Sequence, residues 1–188
     1  MKTSMKSLIA TGLIALSCTC SAFAAPTEDS LVNEIGQRDG FYTLYPRMPI
    51  TEFYNNWENI PGWKYTPDPL NPPDFRRYFY DREYEISEIP VKESVTVITY
   101  SRGGIVHSYG WELSAKDSMF IYRIGSKILK RFQNFYPDAQ KVSLSILGEK
   151  DYKPNFNPGR KDEKVYFYMV LGSDPEWPYS IHLTYANL

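Results

Sequence analysis

One stretch of the chain, residues 114–136, carries a long helical period. Hydrophobic side chains recur there at three- and four-residue steps, at Phe120, Ile121, Ile124, Ile128, Phe132 and Phe135. This spacing places them on one stripe of an amphipathic helix. Ser114, with Asp117 three residues later, predicts the N-terminal cap, and Pro137 ends the pattern. The other sides of the helix are basic, with Lys116, Arg123, Lys127, Lys130 and Arg131.

This helix is expected to lie across a sheet with its basic side in water. The alternative is that the basic side is a docking surface for an anionic partner. Gly125 in the middle of the helix costs about 1 kcal/mol relative to alanine, and its small size would allow close approach to a strand.

Alternating hydrophobic and polar residues predict strands on both sides of the helix. The patterns cover residues 76–91, 95–100 and 105–113 before it, and 142–146, 164–171 and 179–185 after it. Gly103 and Gly104 predict a hairpin turn between the second and third strands. The stretch 49–63 adds a shorter helix, with Thr51 as its cap. The fold class is therefore α+β: an antiparallel sheet of about six strands, in the order β-β-β-α-β-β-β, with one long amphipathic helix across a face and a shorter N-terminal helix.

The first 24 residues have the three parts of a secretory signal. Lys2 and Lys6 precede an apolar run over residues 8–16, and Ala22-Phe23-Ala24 forms a small-x-small ending. The apolar run is too short to span a bilayer, which needs ~20 residues. We therefore expect cleavage after Ala24 and export to the periplasm or the medium, with no transmembrane segment left in the mature chain.

Both cysteines, Cys18 and Cys20, lie inside this signal. Lipidation at Cys18 is the alternative to ordinary cleavage, but the residues before it fit a lipoprotein signal poorly. Cleavage after Ala24 would leave no thiol, and hence no disulfide, no thiolate metal site and no cysteine nucleophile.

The mature chain is expected to form one domain. Residues 25–40 are a polar, loosely held N-terminal segment, and residues 41–188 form a single α+β domain. That domain contains a proline-rich loop at 66–75 and a long hairpin loop at 148–163. A division into two domains at the proline-rich loop would leave a first domain too small to be typical.

The overall charge excludes a general affinity for nucleic acid, because the formal net charge is only −1. Sixteen tyrosines are unusual for 188 residues. Tyrosine is common in strands, and it also provides large contact area in binding surfaces.

The long loop carries the candidate contact residues. Tyr152 and Phe156 lie near its centre, with Arg160 and Lys161 beside them, and Trp177 lies in a second loop. Aromatic and basic residues together can stack on and pair with a protein or glycan partner. A decorated linker is the alternative interpretation.

Catalysis has little support in the sequence. His107 is predicted on the apolar side of its strand, as a buried neutral histidine, and His182 on the polar side of another, exposed to solvent. Ser108 points away from His107, so the two form no dyad. A carboxylate site around Asp81, Glu83 and Glu85 is the remaining option, although a solvated strand face explains these residues equally well. No cofactor and no metal site is predicted.

These observations favour an exported, non-catalytic binding or interaction protein of a bacterial-type cell envelope. The alternatives are a hydrolase with an unfamiliar carboxylate site, or an envelope assembly or structural factor that uses the exposed helix face.

Overall fold

The computed structural model describes residues 26–68, 70, 75–100, 103–135, 155–156, 163–171 and 174–187. The helices in these residues are α1 (Glu28–Ile35), α2 (Ile50–Trp57) and α3 (Ser118–Phe135). The strands are β1 (Lys64–Pro67), β2 (Phe75–Ile86), β3 (Ile89–Tyr100), β4 (Val106–Ala115), β5 (Asn155–Phe156), β6 (Glu163–Leu171) and β7 (Tyr179–Asn187).

All these strands join one antiparallel sheet in the order β1-β2-β3-β4-β7-β6-β5. Five strands are long, and the short β1 and β5 form the two edges. The α+β class is confirmed. The predicted strand order is wrong before the long helix, where four strands precede α3, and the predicted strand at 142–146 lies outside the described residues.

The additional strand is β1, and a tight turn at Ser87 and Glu88 moves the boundary between β2 and β3 away from the predicted one. Both residues have positive φ, 52° and 66°, and Ile86 pairs directly with Ile89 across them. A two-residue turn with positive φ at both positions matches the twist of a β-hairpin, but it normally recruits glycine or asparagine. The sequence lacks that signal, so residues 76–91 were predicted as one strand.

The N-terminal cap of the long helix lies three residues later than the sequence predicted. Asp117 caps it, because one of its side-chain oxygens accepts hydrogen bonds from the backbone N–H groups of Met119 at 2.9 Å and Phe120 at 3.0 Å. Ser114 instead belongs to β4. Gly125 faces β6, where an added Cβ would collide with the sulfur of Met169. The missing side chain therefore lets α3 approach the sheet, as predicted.

Part of the basic side of α3 pairs with α1, whereas Lys116, Arg123 and Lys130 remain exposed to solvent. Arg123 pairs with Glu28, and Lys127 pairs with Glu28 and Asp29. Arg131 donates to a backbone carbonyl at 2.9 Å. On its other side α1 buries Leu31, Val32 and Ile35. The segment predicted to be loosely held therefore contributes buried side chains to the core, and its carboxylates pair with part of the basic side of α3.

The helices cover one face of the sheet, and the core lies between them. Alternate residues of β3 and β4 point into this layer, among them Val91, Val95, Val97, Tyr109 and Trp111. The opposite face, called the outer face below, carries mostly small and polar residues. They include Ser94, Thr96, Ser108, Gly110, Glu112, Ser114, Ser180, His182 and Thr184.

His107 does not occupy the core position that alternation predicts. The pairing of β3 with β4 shifts there, since Ile98 pairs with Ser108 but Thr99 pairs with Val106. His107 is the extra residue of this β-bulge. Its ring is partly buried against Tyr100, with centroids 4.4 Å apart, and partial burial lowers its pKa.

Candidate functional site

Aromatic side chains form a partly exposed surface where α2 meets the β1 edge of the sheet. We call this surface the aromatic edge and define it as Tyr54, Trp63, Tyr65 and Tyr78 with the adjacent Arg76. Tyr65 is 46% exposed. Its ring lies 6.3 Å from that of Tyr78 and 5.4 Å from that of the buried Tyr80, which is its direct partner across the strands. The surface therefore combines exposed ring area with a buried aromatic support.

A hydroxyl pair and a cation give the aromatic edge a polar component. The hydroxyls of Tyr54 and Tyr78 are 2.7 Å apart and share a hydrogen bond. Partial burial, with this hydrogen bond second, raises the pKa of Tyr54. The Tyr78 hydroxyl raises the pKa of the exposed Arg76. Rings, hydroxyls and a guanidinium together are the chemistry enriched in protein interfaces.

The α2 helix supports this surface from the core. Phe53 packs on Tyr78 and Tyr80, with centroids 5.1 Å and 6.4 Å away. Trp57 is fully buried, packs on Tyr80 at 5.0 Å, and donates from its indole nitrogen to the Thr43 hydroxyl at 2.8 Å. Trp57 is therefore a core anchor and has no free surface to offer a partner.

Beneath the aromatic edge lies a buried carboxylate, Glu93 of β3, with no solvent exposure. Its first oxygen accepts from the hydroxyl of Tyr42 and from the indole N–H of Trp111, the latter at 2.6 Å. Its second oxygen accepts from the Arg82 guanidinium, with Nε at 2.7 Å, and from the Tyr84 hydroxyl at 2.8 Å. Four side chains thus satisfy one buried charge, as burial of a carboxylate requires.

The network around Glu93 raises the pKa of the two tyrosines and of the arginine that donate to it. Burial, followed by the charge of Glu93, raises the pKa of both Tyr42 and Tyr84. Burial alone would lower the pKa of Arg82, but Glu93 and the two neighbouring hydroxyls together raise it. The two tyrosines therefore stay neutral donors and Arg82 stays charged. Arg82 also donates to the Tyr42 hydroxyl at 2.8 Å, so these donors are used within the network, which is structural and offers no free base.

Arg82 connects this network to the aromatic edge. Its guanidinium carbon lies 4.3 Å from the ring centroid of Trp63, a cation–π contact. Tyr42 and Trp57 flank the same indole, with centroids 5.7 Å and 5.8 Å away. Trp63 is thus held on three sides, which limits the side-chain entropy that a partner would have to remove.

The structure separates two of the residues predicted to contact a ligand. Phe156 pairs with Val165 at one end of β6, whereas Trp177 follows the other end in the turn before β7. Six strand residues between these ends span about 20 Å. Trp177 is partly buried, and its backbone N–H donates to a side-chain oxygen of Asp174 at 3.4 Å. Tyr152, Arg160 and Lys161 lie outside the described residues.

Of the carboxylates considered as a hydrolase site, Glu83 and Glu85 lie in solvent and Asp81 is partly buried. Glu83 and Glu85 are exposed, as the sequence predicted for a wet strand face. Asp81, on the same strand, accepts a hydrogen bond from Ser94 at 2.6 Å. These contacts provide no desolvated pair for acid–base chemistry.

A second polar cluster lies on the outer face, where the sequence predicted only an exposed histidine. The hydroxyl oxygen of Ser180 is 2.8 Å from Nε2 of His182, and Nδ1 of the same ring is 3.5 Å from a carboxylate oxygen of Glu112. His182 is partly buried. Burial lowers its pKa, and the charge of Glu112 opposes that shift.

Part of this cluster was visible in the sequence. Ser180 and His182 are two residues apart in one strand, so they share a face. Glu112 could be placed beside them only from the strand register, which makes it the direct partner of His182.

The described residues contain no group of three or more His, Cys, Asp or Glu side chains that could hold a metal ion. They contain no cysteine, and therefore no disulfide. None of their helices is long and apolar enough to cross a membrane. Comparison with protein-family models, with curated proteins and with solved structures finds no match for this chain.

Proposed function

We propose that the protein is exported and acts as a binding protein of a bacterial-type cell envelope, with the aromatic edge as its contact surface and a protein as its partner. The observation that carries this proposal is the exposed ring of Tyr65 beside Tyr54, Tyr78 and Arg76, backed by buried side chains. Tyrosine, tryptophan and arginine are the residues that dominate binding energy in protein interfaces.

The support beneath the surface favours binding over a purely structural role for these rings. Trp63 is fixed by Arg82, which is itself fixed by Glu93. Leu70, just beyond β1, is 75% exposed and adds an apolar side chain near the same edge. A preorganised aromatic surface with an exposed apolar neighbour binds with little loss of conformational freedom.

Export rests on the N-terminal signal of residues 1–24. The protein recovered from its native envelope should begin at Ala25, which intact mass measurement would show. A chain that keeps residues 1–24, or one extended by lipid at Cys18, would contradict cleavage after Ala24.

The long-loop residues Tyr152, Phe156, Arg160 and Lys161, and Trp177, remain a second proposed contact surface. Three baits separate it from the aromatic edge in a crosslinking pull-down from the native envelope. They are the mature chain, an edge variant (Tyr65→Ala with Arg76→Ala) and a loop variant (Tyr152→Ala with Phe156→Ala).

Our proposal predicts a protein that the mature chain captures and the edge variant loses. Tyr122→Ala with Lys130→Ala is the matched control, because both residues are exposed on α3, away from the edge. Capture lost only by the loop variant would move the contact surface to the loop. Retention on glycan without any captured protein would replace the protein partner by a glycan.

A further inference from the structure

The outer-face cluster is arranged as a relay from a hydroxyl through an imidazole to a carboxylate. Ser180 and His182 project from β7 beside Ser114 and Glu112 of β4, their direct register partners. Nε2 of His182 is 2.8 Å from the Ser180 oxygen, and Nδ1 is 3.5 Å from Oε2 of Glu112. The Ser114 hydroxyl donates to Oε1 of Glu112 at 2.9 Å. Each carboxylate oxygen therefore has its own partner.

We propose that Ser180, His182 and Glu112 form a nucleophilic site that takes the acyl group from a small carboxylic ester. The orientation carries this assignment. Nε2 faces the serine oxygen and Nδ1 faces the carboxylate, which is the arrangement that makes a serine nucleophilic in hydrolases of unrelated folds. The distance from Nδ1 to Oε2 is longer than a good hydrogen bond, and such contacts often tighten only when substrate is bound.

The protonation state of His182 suits the role of base. Its pKa is lowered by burial, so the ring is neutral at pH 7 and Nε2 can accept a proton. Glu112 raises that pKa and stabilises the imidazolium that forms during the reaction. Ser114 holds the carboxylate from its other side, which restricts its rotation.

The reaction balances without a cofactor. The Ser180 oxygen attacks the ester carbonyl carbon as its proton moves to Nε2 of His182. The resulting tetrahedral intermediate expels the alcohol, which takes the proton from Nε2. Water then attacks the acyl-serine, with His182 again accepting and returning the proton. The products are a carboxylic acid, an alcohol and free enzyme.

Charge on the carbonyl oxygen must be stabilised by a side chain, because the backbone amides around Ser180 are engaged with β4 and β6. Lys92 of β3 pairs with Ser114, which pairs with Ser180, so the three lie in one row across the sheet. Among the described residues Lys92 makes no ion pair. Because Lys92 supplies a positive charge in this row, we assign it the role of stabilising the oxyanion, with Glu83 opposite it in β2 as a competing partner for its ammonium group.

Steric access limits the substrate to a small acyl group. Ser180 is only 2% exposed, whereas the side chains of His182 and Glu112 are 21% and 40% exposed. The proposal is therefore confined to short esters that reach the serine oxygen past the partly buried His182, because a bulky acyl group cannot reach it.

The first test is labelling of the mature chain with a fluorophosphonate, which phosphonylates an activated serine with loss of fluoride. Peptide mapping should place the label on Ser180. p-Nitrophenyl acetate hydrolysis should fall to the uncatalysed rate in Ser180→Ala. Ser108→Ala is the matched control, a buried serine on the same face opposite Ala186, and it should keep both the label and the rate. An unlabelled, folded wild-type chain, or a label on another residue, would overturn the proposal.

Glu112 and Lys92 are proposed to act through their charge. Their variants are therefore tested by the midpoint of the pH–rate profile as well as by the rate. Glu112→Gln should lower kcat/KM at least tenfold and move the midpoint of the pH–rate profile to lower pH, because the charge that raises the His182 pKa is gone. Lys92→Met should lower kcat and leave that midpoint nearly in place. An unchanged profile and rate in both variants would remove these roles.

This site and the aromatic edge are independent, since they lie on opposite faces of the sheet. Ser180→Ala should leave partner capture intact, and Tyr65→Ala should leave labelling intact. Failure of one proposal is therefore distinguishable from failure of the other.

Discussion

Replacement of Glu93 by glutamine tests the support beneath the aromatic edge. The substitution preserves side-chain size but removes the charge that Arg82 neutralises. It also replaces one acceptor oxygen by an NH2 group, which is itself a donor. The groups around it are also donors, among them the Tyr42 and Tyr84 hydroxyls and the Trp111 indole N–H. The guanidinium would then remain with its side chain 13% exposed and no opposite charge beside it.

The size of the effect follows from this burial. Breaking a buried ion pair on one side costs about 3–5 kcal/mol, a large part of the ~5–15 kcal/mol that holds a domain folded. For a domain of this size each kcal/mol moves Tm by about 2–4 °C. Glu93→Gln should therefore lower Tm by roughly 6–20 °C. Trp63 should also loosen, because Arg82 no longer fixes its ring.

Thermal and urea unfolding, followed by circular dichroism and tryptophan fluorescence, measure this loss. Glu85→Gln makes the same change at an exposed position of β2 and should cost within ~0.5 kcal/mol. In a double-mutant cycle, Arg82→Met should cost less in the Glu93→Gln background than in wild type, by at least about 1 kcal/mol. A Glu93→Gln cost under ~1 kcal/mol, or additive costs in the cycle, would refute the proposed coupling.

Three further predictions concern backbone conformation, core packing and the ionisation of buried tyrosines. Gly40→Ala should cost about 1–3 kcal/mol in urea unfolding, because φ is 141° and the new Cβ would meet a backbone carbonyl. Gly104→Ala, with φ of 65° and nothing within 4 Å, should cost less; equal costs would contradict this. Ile35→Ala should lower the unfolding free energy by about 2–5 kcal/mol, whereas a cost under ~1 kcal/mol would show that α1 is loosely held. The raised pKa values of Tyr42 and Tyr84 predict stability that is complete below pH ~10 and lost as pH rises above it, by up to ~1.4 kcal/mol per pH unit for each tyrosine. Tyr84→Phe should make this decline in Tm shallower, and an unchanged slope would contradict the assignment.

The periodic elements were predictable from the sequence because one periodicity decides each of them. The apolar stripe of α3 and the alternation in β7, in β3 from residue 95 onwards and in β4 beyond its bulge appear where the pattern places them. The turn at Ser87 and Glu88 was not predictable, because neither residue normally favours positive φ. The packing of α1 on α3 was also missed, because its ion pairs join residues about a hundred positions apart.

The burial of Glu93 could have been predicted from the sequence if the strand boundaries had been placed correctly. Glu93 occupies the same alternate positions as Val91, Val95 and Val97, so a continuous strand over these residues places a charge in the core. The prediction ended one strand at residue 91 and began the next at residue 95, which removed Glu93 from the pattern. The partner residues come from distant segments and could be identified only from the fold.

The most direct test of the binding proposal is site-specific photocrosslinking in the native envelope. A photoreactive phenylalanine analogue at position 65 reports on the aromatic edge, and the same analogue at position 122 reports on an exposed tyrosine of α3. Our account predicts one discrete crosslinked protein from position 65 and none from position 122, with Tm unchanged in both variants. Crosslinks from position 122 alone, or none from position 65 while the loop double variant still loses its partner, would contradict it.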